Sequence, residues 1–287
     1  MPSQHPLGAT TELVGLIGHP VRHSLSPALV NAAFLDMDLD WAFVVCDVAP
    51  GRGAAAVAGA TALGFRGLSV TMPHKDAVAA SVDALTDAAA ALGAVNCVAI
   101  ADGTTTGHNT DGLGFVASLH AETDRVVEGA TCAVLGAGGA ARSIIRALAD
   151  AGASEILVVN RTAESAIAAA AVAPDVARVG SAAEVSSASI VVNATSLGMA
   201  DASDPSRLSA VAIDVAQLDS HTLVADIVYH PRRTALLAAA ENRGLETLGG
   251  LGMLVHQAAA AVQIWTGIEA PVAAMTKGAE AALAARI

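Results

Sequence analysis

The sequence predicts an α/β protein with two domains, and three observations support this prediction. Short apolar runs that are typical of strands are separated by stretches of about ten to fifteen residues with helical composition, as in βαβ units. The apolar runs do not alternate with polar residues, which is typical of parallel strands covered on both faces. The polar segment AETDRVVEGAT interrupts this pattern near the middle of the 287 residues, so we expect a domain junction there.

The first half of the chain predicts four strands with helices between them. The strands are expected at residues 12–18, 41–48, 67–71 and 96–101, because each is a short apolar run bounded by turn residues. A first helix begins at SPALVNAAF, an alanine-rich helix ends near Leu63, and a third helical stretch ends at Leu92. A fourth helix is expected from Asp111 to about Ala121.

The second half repeats the alternation with shorter connections. Strands are expected at 131–136, 155–160, 189–195 and 222–229 and within VARVGS, and the helix after the first of them ends at Ala151. Two helices broken at TGIEAP follow from Gly252 on. We assign residues 1–122 and 252–287 to one domain and residues 123–251 to the other. Because the chain leaves the first domain and returns to it, we expect the active site in the crevice between them.

Composition and charge argue against several classes of function. The formal net charge of −12 disfavours nucleic acid and anionic membranes as partners. No uninterrupted apolar run reaches about 18 residues, and the first residues do not resemble a secretory signal. Three cysteines stand singly in apolar stretches, as buried thiols do in a reducing compartment: Cys46, Cys97 and Cys132. We therefore expect a cytoplasmic protein with a small-molecule ligand and no metal, and the sequence leaves a homodimer open.

The segment SVTMPHK contains Lys75, one of two lysines in a chain with thirteen arginines. An ammonium group can lose its proton when it is partly desolvated, whereas a guanidinium group effectively cannot. Lys75 is therefore a candidate proton carrier. The alternative is a solvated lysine at the start of a helix.

The segment LGAGGAARS follows a predicted strand and precedes a predicted helix. It contains Gly136-x-Gly138-x-x-Ala141, in which glycine allows a tight turn and a close approach of the backbone to a pyrophosphate. The free N–H groups at the helix start then bind the phosphates. The pattern predicts a dinucleotide site in a Rossmann-like domain, and the alternative is a tight turn with a structural role only.

The end of the next strand, VVNRT, predicts which dinucleotide binds. An NAD site usually has an acidic residue there, but this strand ends in Asn160, Arg161 and Thr162. A carboxylate would repel a 2′-phosphate, whereas Arg161 can pair with it. Asn160 and Thr162 can donate to the same group. The cofactor is therefore expected to be NADP, against the alternative of a surface arginine.

Small polar residues cluster elsewhere in the first half. HSLSP contains Ser24 and Ser26, whose hydroxyls can hold a carboxylate, although Ser26 before a proline can equally be a helix N-cap. GAVNC contains Asn96, and GHNTDGLGF contains Asp111 after Asn109 and Thr110. Asp111 can likewise be an N-cap. The only tyrosine, Tyr229, ends the apolar part of DIVYHP.

These clusters together resemble the shikimate dehydrogenase family. Nine motifs stand in the family's order: HSLSP, SVTMPHK, GAVNC, GHNTDGLGF, GAGGAAR, NRT, NATSLGM, DIVYHPRRTALL and GGLGMLVHQA. The resemblance implies an NADP-dependent enzyme that reduces 3-dehydroshikimate to shikimate. It implies Lys75 and Asp111 as the catalytic pair. It implies these substrate-binding residues: Ser24, Ser26, Thr71, Asn96, Tyr229 and Gln257. It implies these cofactor-binding residues: Gly136, Gly138, Gly139, Ala140, Asn160, Arg161, Thr162, Ile227 and Gly250.

Two positions depart from the family's usual residues. Ser69 stands where asparagine is commoner, and Cys97 stands where threonine is usual. Within the enzyme class, the alternatives are use of quinate or of an aminated analogue, and use of NAD. From another class, the alternative is a regulator that binds shikimate-type metabolites without turnover, but such a protein would lack Lys75 or Asp111.

Overall fold

The computed structural model describes residues 7–199 and 213–285, which belong to two compact units. The first unit comprises the chain up to Thr110 together with the residues from Val255 on. The second unit comprises Asp111–Leu254. In the described residues no helix is long and apolar enough to cross a membrane.

The first unit is built on a six-stranded mixed sheet in the order β2-β1-β3-β5-β6-β4. Its strands are β1 (Glu12–Gly18), β2 (Trp41–Asp47), β3 (Gly67–Val70), β4 (Ala84–Leu85), β5 (Cys97–Ala101) and β6 (Thr104–His108). Its helices are α1 (Ser26–Asp36), α2 (Gly53–Ala62), α3 (Lys75–Ala79) and α4 (Asp87–Leu92). Strands β1, β2 and β3 are parallel, whereas β5 is antiparallel to both of its neighbours.

The second unit is built on a six-stranded parallel sheet in the order β12-β11-β10-β7-β8-β9. Its strands are β7 (Thr131–Leu135), β8 (Glu155–Val159), β9 (Ala177–Val179), β10 (Ile190–Asn193), β11 (Leu223–Asp226) and β12 (Glu246–Gly249). Its helices are α5 (Asp111–Glu122), α6 (Gly139–Asp150), α7 (Ala163–Ala170) and α8 (Ala235–Asn242). Short 3₁₀ turns cover Glu184–Ser187 and Val215–Gln217.

Both faces of the second sheet are buried, as the lack of alternation in the sequence predicts. On β7, Cys132 and Val134 belong to one apolar cluster, whereas Ala133 and Leu135 belong to another. The strand order runs outward from β7 on one side and from β10 on the other. The carboxyl ends of β7 and β10 therefore flank the switch point at which open parallel sheets bind ligands.

Two further helices complete the described chain. Helix α9 (Gly250–Thr266) begins in the second unit and continues in the first, and α10 (Val272–Ala284) lies in the first unit. Helix α10 packs closely on α1, because a Cβ at Gly278 would lie 2.7 Å from the carbonyl oxygen of Ala28.

The boundary between the units differs from the one predicted at residue 122. Helix α5, which the sequence analysis assigned to the first domain, belongs to the second unit. It packs directly on α6, because a Cβ at Gly112 would overlap the carbonyl oxygen of Ser143. The polar segment after Glu122 is a connection within the second unit and not between the two. The return boundary also shifts, from residue 252 to Val255.

Most predicted elements are confirmed, but four features of the fold were not predicted. The helical stretch up to Leu92 is two helices, α3 and α4, with the short strand β4 between them. Strand β6 pairs with β5 through a turn in which Asp102 and Gly103 have φ of 49° and 76°. Helix α8 and strand β12, between residues 235 and 249, were not predicted either. The antiparallel pairing of β5 makes the first sheet mixed instead of parallel.

Candidate active site

The HSLSP segment connects β1 to α1 and brings its two serines together. The hydroxyl of Ser24 accepts a hydrogen bond from the backbone N–H of Ser26 and donates to the Ser26 hydroxyl, both at 3.1 Å. Helix α1 begins at Ser26 with no side-chain cap bond. The structure therefore does not support the N-cap alternative for Ser26. It leaves two neighbouring hydroxyls at this corner, and Ser26 is only 8% exposed.

Lys75 is the first residue of α3 and is half-buried. Its carbonyl oxygen accepts from the backbone N–H of Val95 at 3.1 Å. The preceding His74 is buried, and its Nε2 donates to the carbonyl oxygen of Val48 at 2.8 Å. The backbone N–H of Thr71 donates to the carbonyl oxygen of Ile17 at 2.9 Å. The backbone that carries Thr71 and Lys75 is thus fixed to β1, to the residue after β2 and to the segment before β5.

Asn96 and Gln257, two predicted substrate-binding residues, are joined by Thr110. The Oδ1 atom of Asn96 accepts from the backbone N–H of Thr110 at 2.8 Å, and its Nδ2 atom donates to the Thr110 hydroxyl at 2.9 Å. The Thr110 hydroxyl lies 3.0 Å from the carbonyl oxygen of Gln257. The Asn96 Nδ2 atom also lies 3.5 Å from Oε1 of Gln257. Thr110 belongs to the motif GHNTDGLGF, but no site role was predicted for it.

Asp111 follows Thr110 directly and is the first residue of α5. It is 7% exposed, although it carries a carboxylate in the first turn of a helix. The backbone bond of Thr110 to Asn96 thus fixes the chain one residue before Asp111.

The glycine loop after β7 has the conformation that the sequence predicts. Gly136 has a φ of 113°, which favours glycine, and a Cβ there would lie 3.0 Å from Cγ2 of Thr195 and 3.1 Å from the Ala194 carbonyl oxygen. By contrast, a Cβ at Gly138 or Gly139 would meet no atom within 4 Å. Helix α6 begins at Gly139 with no acidic residue in its first turn. Open space above a helix N-terminus without nearby acids fits a pyrophosphate, so these residues fit a dinucleotide.

The VVNRT turn after β8 presents Arg161 on the surface. The Nδ2 atom of Asn160 donates to the carbonyl oxygen of Thr162 at 3.1 Å, which folds the turn. Thr162 occupies the N-cap position of α7 but makes no side-chain cap bond. Within residues 7–199 and 213–285, Arg161 is exposed and makes no hydrogen bond or ion pair. The guanidinium group is therefore available to an anion.

Ile227 and Gly250 are neighbours in the second unit. A Cβ at Gly250 would overlap the carbonyl oxygen of Ile227, so α9 can start close to the loop after β11 only with glycine at this position. The N–H of Ile227 donates to the carbonyl oxygen of Asn193 at 3.1 Å. Tyr229 lies two residues further along the same loop.

A buried polar network in the second unit was missed by the sequence analysis. It contains Asn193, Asp226 and Thr234, which are between 0% and 2% exposed. The signal in the sequence was the acidic residue inside the apolar run TLVADIVY, because an acid is rarely buried without partners. Burial raises the pKa of the Asp226 carboxyl group above its usual value, while its three hydrogen-bond donors act in the opposite direction.

The two departures from the family's usual residues are cross-strand neighbours. Ser69 on β3 pairs in register with Cys97 on β5. Cys97 is fully buried, and burial raises the pKa of its thiol far above the usual range. The side chain is therefore a packing group and not a nucleophile. No group of His, Cys, Asp and Glu side chains in the described residues could hold a metal ion.

Three family models match successive segments of the chain. Residues 16–98 match the shikimate dehydrogenase substrate binding domain, and residues 119–227 match the shikimate / quinate 5-dehydrogenase family. Residues 250–277 match the shikimate 5′-dehydrogenase C-terminal domain.

Among curated relatives, shikimate dehydrogenase (NADP(+)) of Moorella thermoacetica is 44% identical over 94% of this chain and 92% of its own. The enzyme of the same name from Methanopyrus kandleri is 43% identical over 93% of this chain and 94% of its own.

Solved structures of three differently named proteins are similar to this chain. A shikimate dehydrogenase in complex with NADP+ has a TM-score of 0.88 at 36% identity and covers 96% of this chain and 97% of its own. The 5-ketofructose reductase of Gluconobacter sp. strain CHM43 has a TM-score of 0.85 at 37% identity, covering 96% and 99%. Quinate dehydrogenase from Corynebacterium glutamicum in complex with NAD has a TM-score of 0.86 at 32% identity, covering 94% and 99%. The chain belongs to the shikimate dehydrogenase family.

Proposed function

We propose that this chain is an oxidoreductase that reversibly reduces 3-dehydroshikimate to shikimate with NADPH, in the biosynthesis of chorismate and aromatic amino acids. One observation carries the proposal. Curated relatives named shikimate dehydrogenase (NADP(+)) are 44% and 43% identical to it over more than nine tenths of both chains. An alignment of this extent includes both sheets and the returning helix α9.

The substrate-binding groups that this proposal assigns lie at five points of the chain. The hydroxyls of Ser24 and Ser26, 3.1 Å apart, donate to the two oxygens of the substrate carboxylate. The amides of Asn96 and Gln257 and the hydroxyl of Thr71 bind the ring hydroxyls. Tyr229, on the loop after β11, donates a further hydrogen bond to the carboxylate.

The proposed cofactor residues lie at the carboxyl ends of β7, β8, β11 and β12. Gly136, Gly138, Gly139 and Ala140 hold the pyrophosphate through the open N-terminus of α6. Arg161 pairs with the 2′-phosphate, assisted by Asn160 and Thr162, while Ile227 and Gly250 contact the nicotinamide end. When bound, the nicotinamide cofactor supplies the hydride.

The chain's own chemistry is a proton transfer at the oxygen of the reduced carbonyl. Lys75 donates a proton from its Nζ atom to that oxygen, and in the oxidation direction its neutral amine accepts the proton back. Asp111 orients the lysine and binds the neighbouring hydroxyl. Acid–base catalysis of this kind contributes a factor on the order of 10²–10⁴ in rate. Arginine at position 75 would keep the charge but could not exchange the proton.

Three alternatives remain within the family. The similar structures include a quinate dehydrogenase bound to NAD and a 5-ketofructose reductase, and an aminated shikimate analogue is a further candidate substrate. The turn at Asn160–Thr162, which carries an arginine and no acid, favours NADP over NAD. The less favoured proposal, a regulator that binds without turnover, conflicts with the presence of both Lys75 and Asp111.

Turnover of the purified protein tests the proposed function. NADPH oxidation is followed with 3-dehydroshikimate and, separately, with 5-ketofructose, and the product is identified by mass spectrometry. We expect NADPH-dependent formation of shikimate and little turnover of 5-ketofructose. Binding of 3-dehydroshikimate without turnover would support the regulator, and faster turnover of 5-ketofructose would overturn the substrate assignment.

We also propose a cytoplasmic location, because the three cysteines in the described residues are free. The oligomeric state, monomer or homodimer, can be measured on the same sample by sedimentation velocity.

A further inference from the structure

Two polar residues end neighbouring strands of the second sheet and bind each other. Asn193 is the last residue of β10, Asp226 is the last residue of β11, and the two are paired in register. The Asp226 carboxylate accepts three hydrogen bonds: from Asn193 Nδ2 at 3.0 Å, from the N–H of Val228 at 3.1 Å, and from the Thr234 hydroxyl at 2.7 Å.

Burial of the Asp226 carboxylate is energetically unfavourable. Asp226 is 2% exposed, and no arginine, lysine or histidine of the described residues compensates its charge. Burying an ionised carboxylate without a paired cation is unfavourable, and a well-packed apolar residue in its place is often as stable or more so. Stability alone therefore does not explain an acid at this position.

The network extends into the loop that follows β10. The Asn193 Oδ1 atom accepts from the Thr195 hydroxyl at 2.7 Å and from the Thr195 N–H at 3.2 Å, and its Nδ2 atom also donates to the Leu197 carbonyl oxygen at 3.3 Å. Thr195 lies against Gly136, because a Cβ added at Gly136 would be 3.0 Å from Thr195 Cγ2. Asp226 is thereby linked through Asn193 to the glycine loop.

The network also fixes the loop that follows β11. Val228 and Thr234 are bound to the same carboxylate and enclose the segment that contains Tyr229. Thr234 also caps α8, because its hydroxyl oxygen accepts from the N–H of Leu237 at 3.3 Å. Ile227 lies between Asp226 and Val228, under the start of α9 at Gly250. One buried carboxylate therefore joins the loops after β10 and β11, next to the switch point of the sheet.

We propose that Asp226 is a positioning residue, which holds these two loops in the arrangement that NADPH requires. This inference rests on the proposed function. Asp226 itself is buried beneath the loops, so it acts through Asn193, Val228 and Thr234 and does not touch the cofactor. Loss of its hydrogen bonds should weaken cofactor binding and not only lower stability.

The test compares two buried threonines, one bonded to the last residue of β11 and one directly before the first residue of that strand. Thr234→Val removes the hydroxyl that binds Asp226, and Asp226→Asn removes the charge. Thr222→Val is the matched control: Thr222 is equally buried, at 1%, but precedes β11 and binds the carbonyl oxygen of Ala188 at 2.8 Å, at the opposite end of the strand. Thr234→Ser keeps the hydroxyl and should restore the wild-type behaviour.

The Kd for NADPH is measured by fluorescence titration without substrate, together with Tm, kcat and KM. We expect Thr234→Val and Asp226→Asn to raise the Kd about fivefold or more, the equivalent of one net hydrogen bond, and Thr234→Ser to remain near wild type. Thr222→Val should lower Tm with an unchanged Kd. If Asp226→Asn does not fold, the two Thr234 variants decide the question.

The proposal is overturned if Thr234→Val and Asp226→Asn lower Tm as Thr222→Val does and leave the Kd unchanged. That result would leave the proposed function intact. If the wild-type protein binds NADPH but does not oxidise shikimate, the proposed function fails, and the Kd values still decide the role of Asp226. If the wild-type protein does not bind NADPH, both proposals fail.

Discussion

The backbone N–H of Thr110 donates to the side-chain oxygen of Asn96 at 2.8 Å. A second bond runs from Asn96 Nδ2 to the Thr110 hydroxyl at 2.9 Å. Together the two bonds fix the orientation of the Asn96 amide, that is, the positions of its oxygen and its nitrogen. Thr110, which sets this orientation, directly precedes Asp111. The side chain of Asn96, a proposed substrate-binding residue, and the last residue before α5 are thus fixed by the same two bonds.

Gln257 and Thr110 should therefore respond differently to substitution. Gln257→Leu removes an amide that lies 3.5 Å from Asn96 Nδ2, at the limit of a hydrogen bond, so we expect a several-fold higher KM for shikimate and a smaller loss of stability than in Thr110→Val. Thr110→Val leaves the buried amide of Asn96 short of a partner, and we expect a loss of stability of about 1–3 kcal/mol. Thermal melts and steady-state kinetics of both variants check this. Equal losses of stability in both would contradict the assignment of Gln257 to the substrate.

Lys75→Ala should lower kcat by a factor on the order of 10²–10⁴, because the proton transfer matters in the transition state. The KM for shikimate should change by much less. The control is Lys277→Ala, which removes the only other lysine, an exposed residue of α10. Near-normal turnover of Lys75→Ala would make Lys75 a structural lysine and the proposed mechanism wrong.

Arg161→Ala should raise the KM for NADPH about tenfold or more and leave the KM for NADH nearly unchanged. A charge-assisted hydrogen bond contributes about 1.5–3 kcal/mol, which corresponds to this range of affinity. Arg52→Ala, at an exposed arginine of the first unit, serves as the control and should affect neither cofactor. An equal loss with both cofactors would mean that Arg161 supports the turn and does not bind the phosphate.

Ser24→Ala and Ser26→Ala should each weaken shikimate binding several-fold at little thermal cost, and Tyr229→Phe should do the same. The reason is that no side chain provides the cap bond of α1: removal of the Ser26 hydroxyl takes no bond from the helix, and removal of the Ser24 hydroxyl takes one, from the Ser26 N–H at 3.1 Å. A true cap provides the control: the Thr86 hydroxyl accepts from the N–H of Ala89 at the start of α4. Thr86→Ala should cost ~1 kcal/mol of stability and leave the KM unchanged. Serine variants that melt early but bind normally would instead place the carboxylate elsewhere.

The sequence predicted the centre of the parallel sheet of the second unit well, because β7, β8, β10 and β11 are short, mostly apolar and buried runs. It failed where the pattern is weak or the contacts are distant. Strand β6 reads TTTGH, a polar sequence that forms a strand only by pairing with β5. The position of α5 is set by its packing on α6 at Gly112, which no local pattern reveals.

The candidate site likewise has a part that could be predicted from the sequence and a part that could not. Glycine conformation is a local property, so the loop at Gly136 was predictable, and its φ of 113° confirms the expected turn. The bonds of Thr110 to Asn96 and of Asp226 to Thr234 join positions that are 14 and 8 residues apart, between different elements. Such contacts depend on the fold, and only the acidic residue within an apolar run pointed to one of them.

The most direct test of the account is the set of kcat/KM values for shikimate and quinate, each with NADP+ and with NAD+, for the purified protein. We predict that shikimate with NADP+ gives the highest value, and that replacing NADP+ by NAD+ costs about tenfold or more, as expected for the lost contact with Arg161. A higher kcat/KM with quinate, a preference for NAD+, or no turnover of any pair would contradict it.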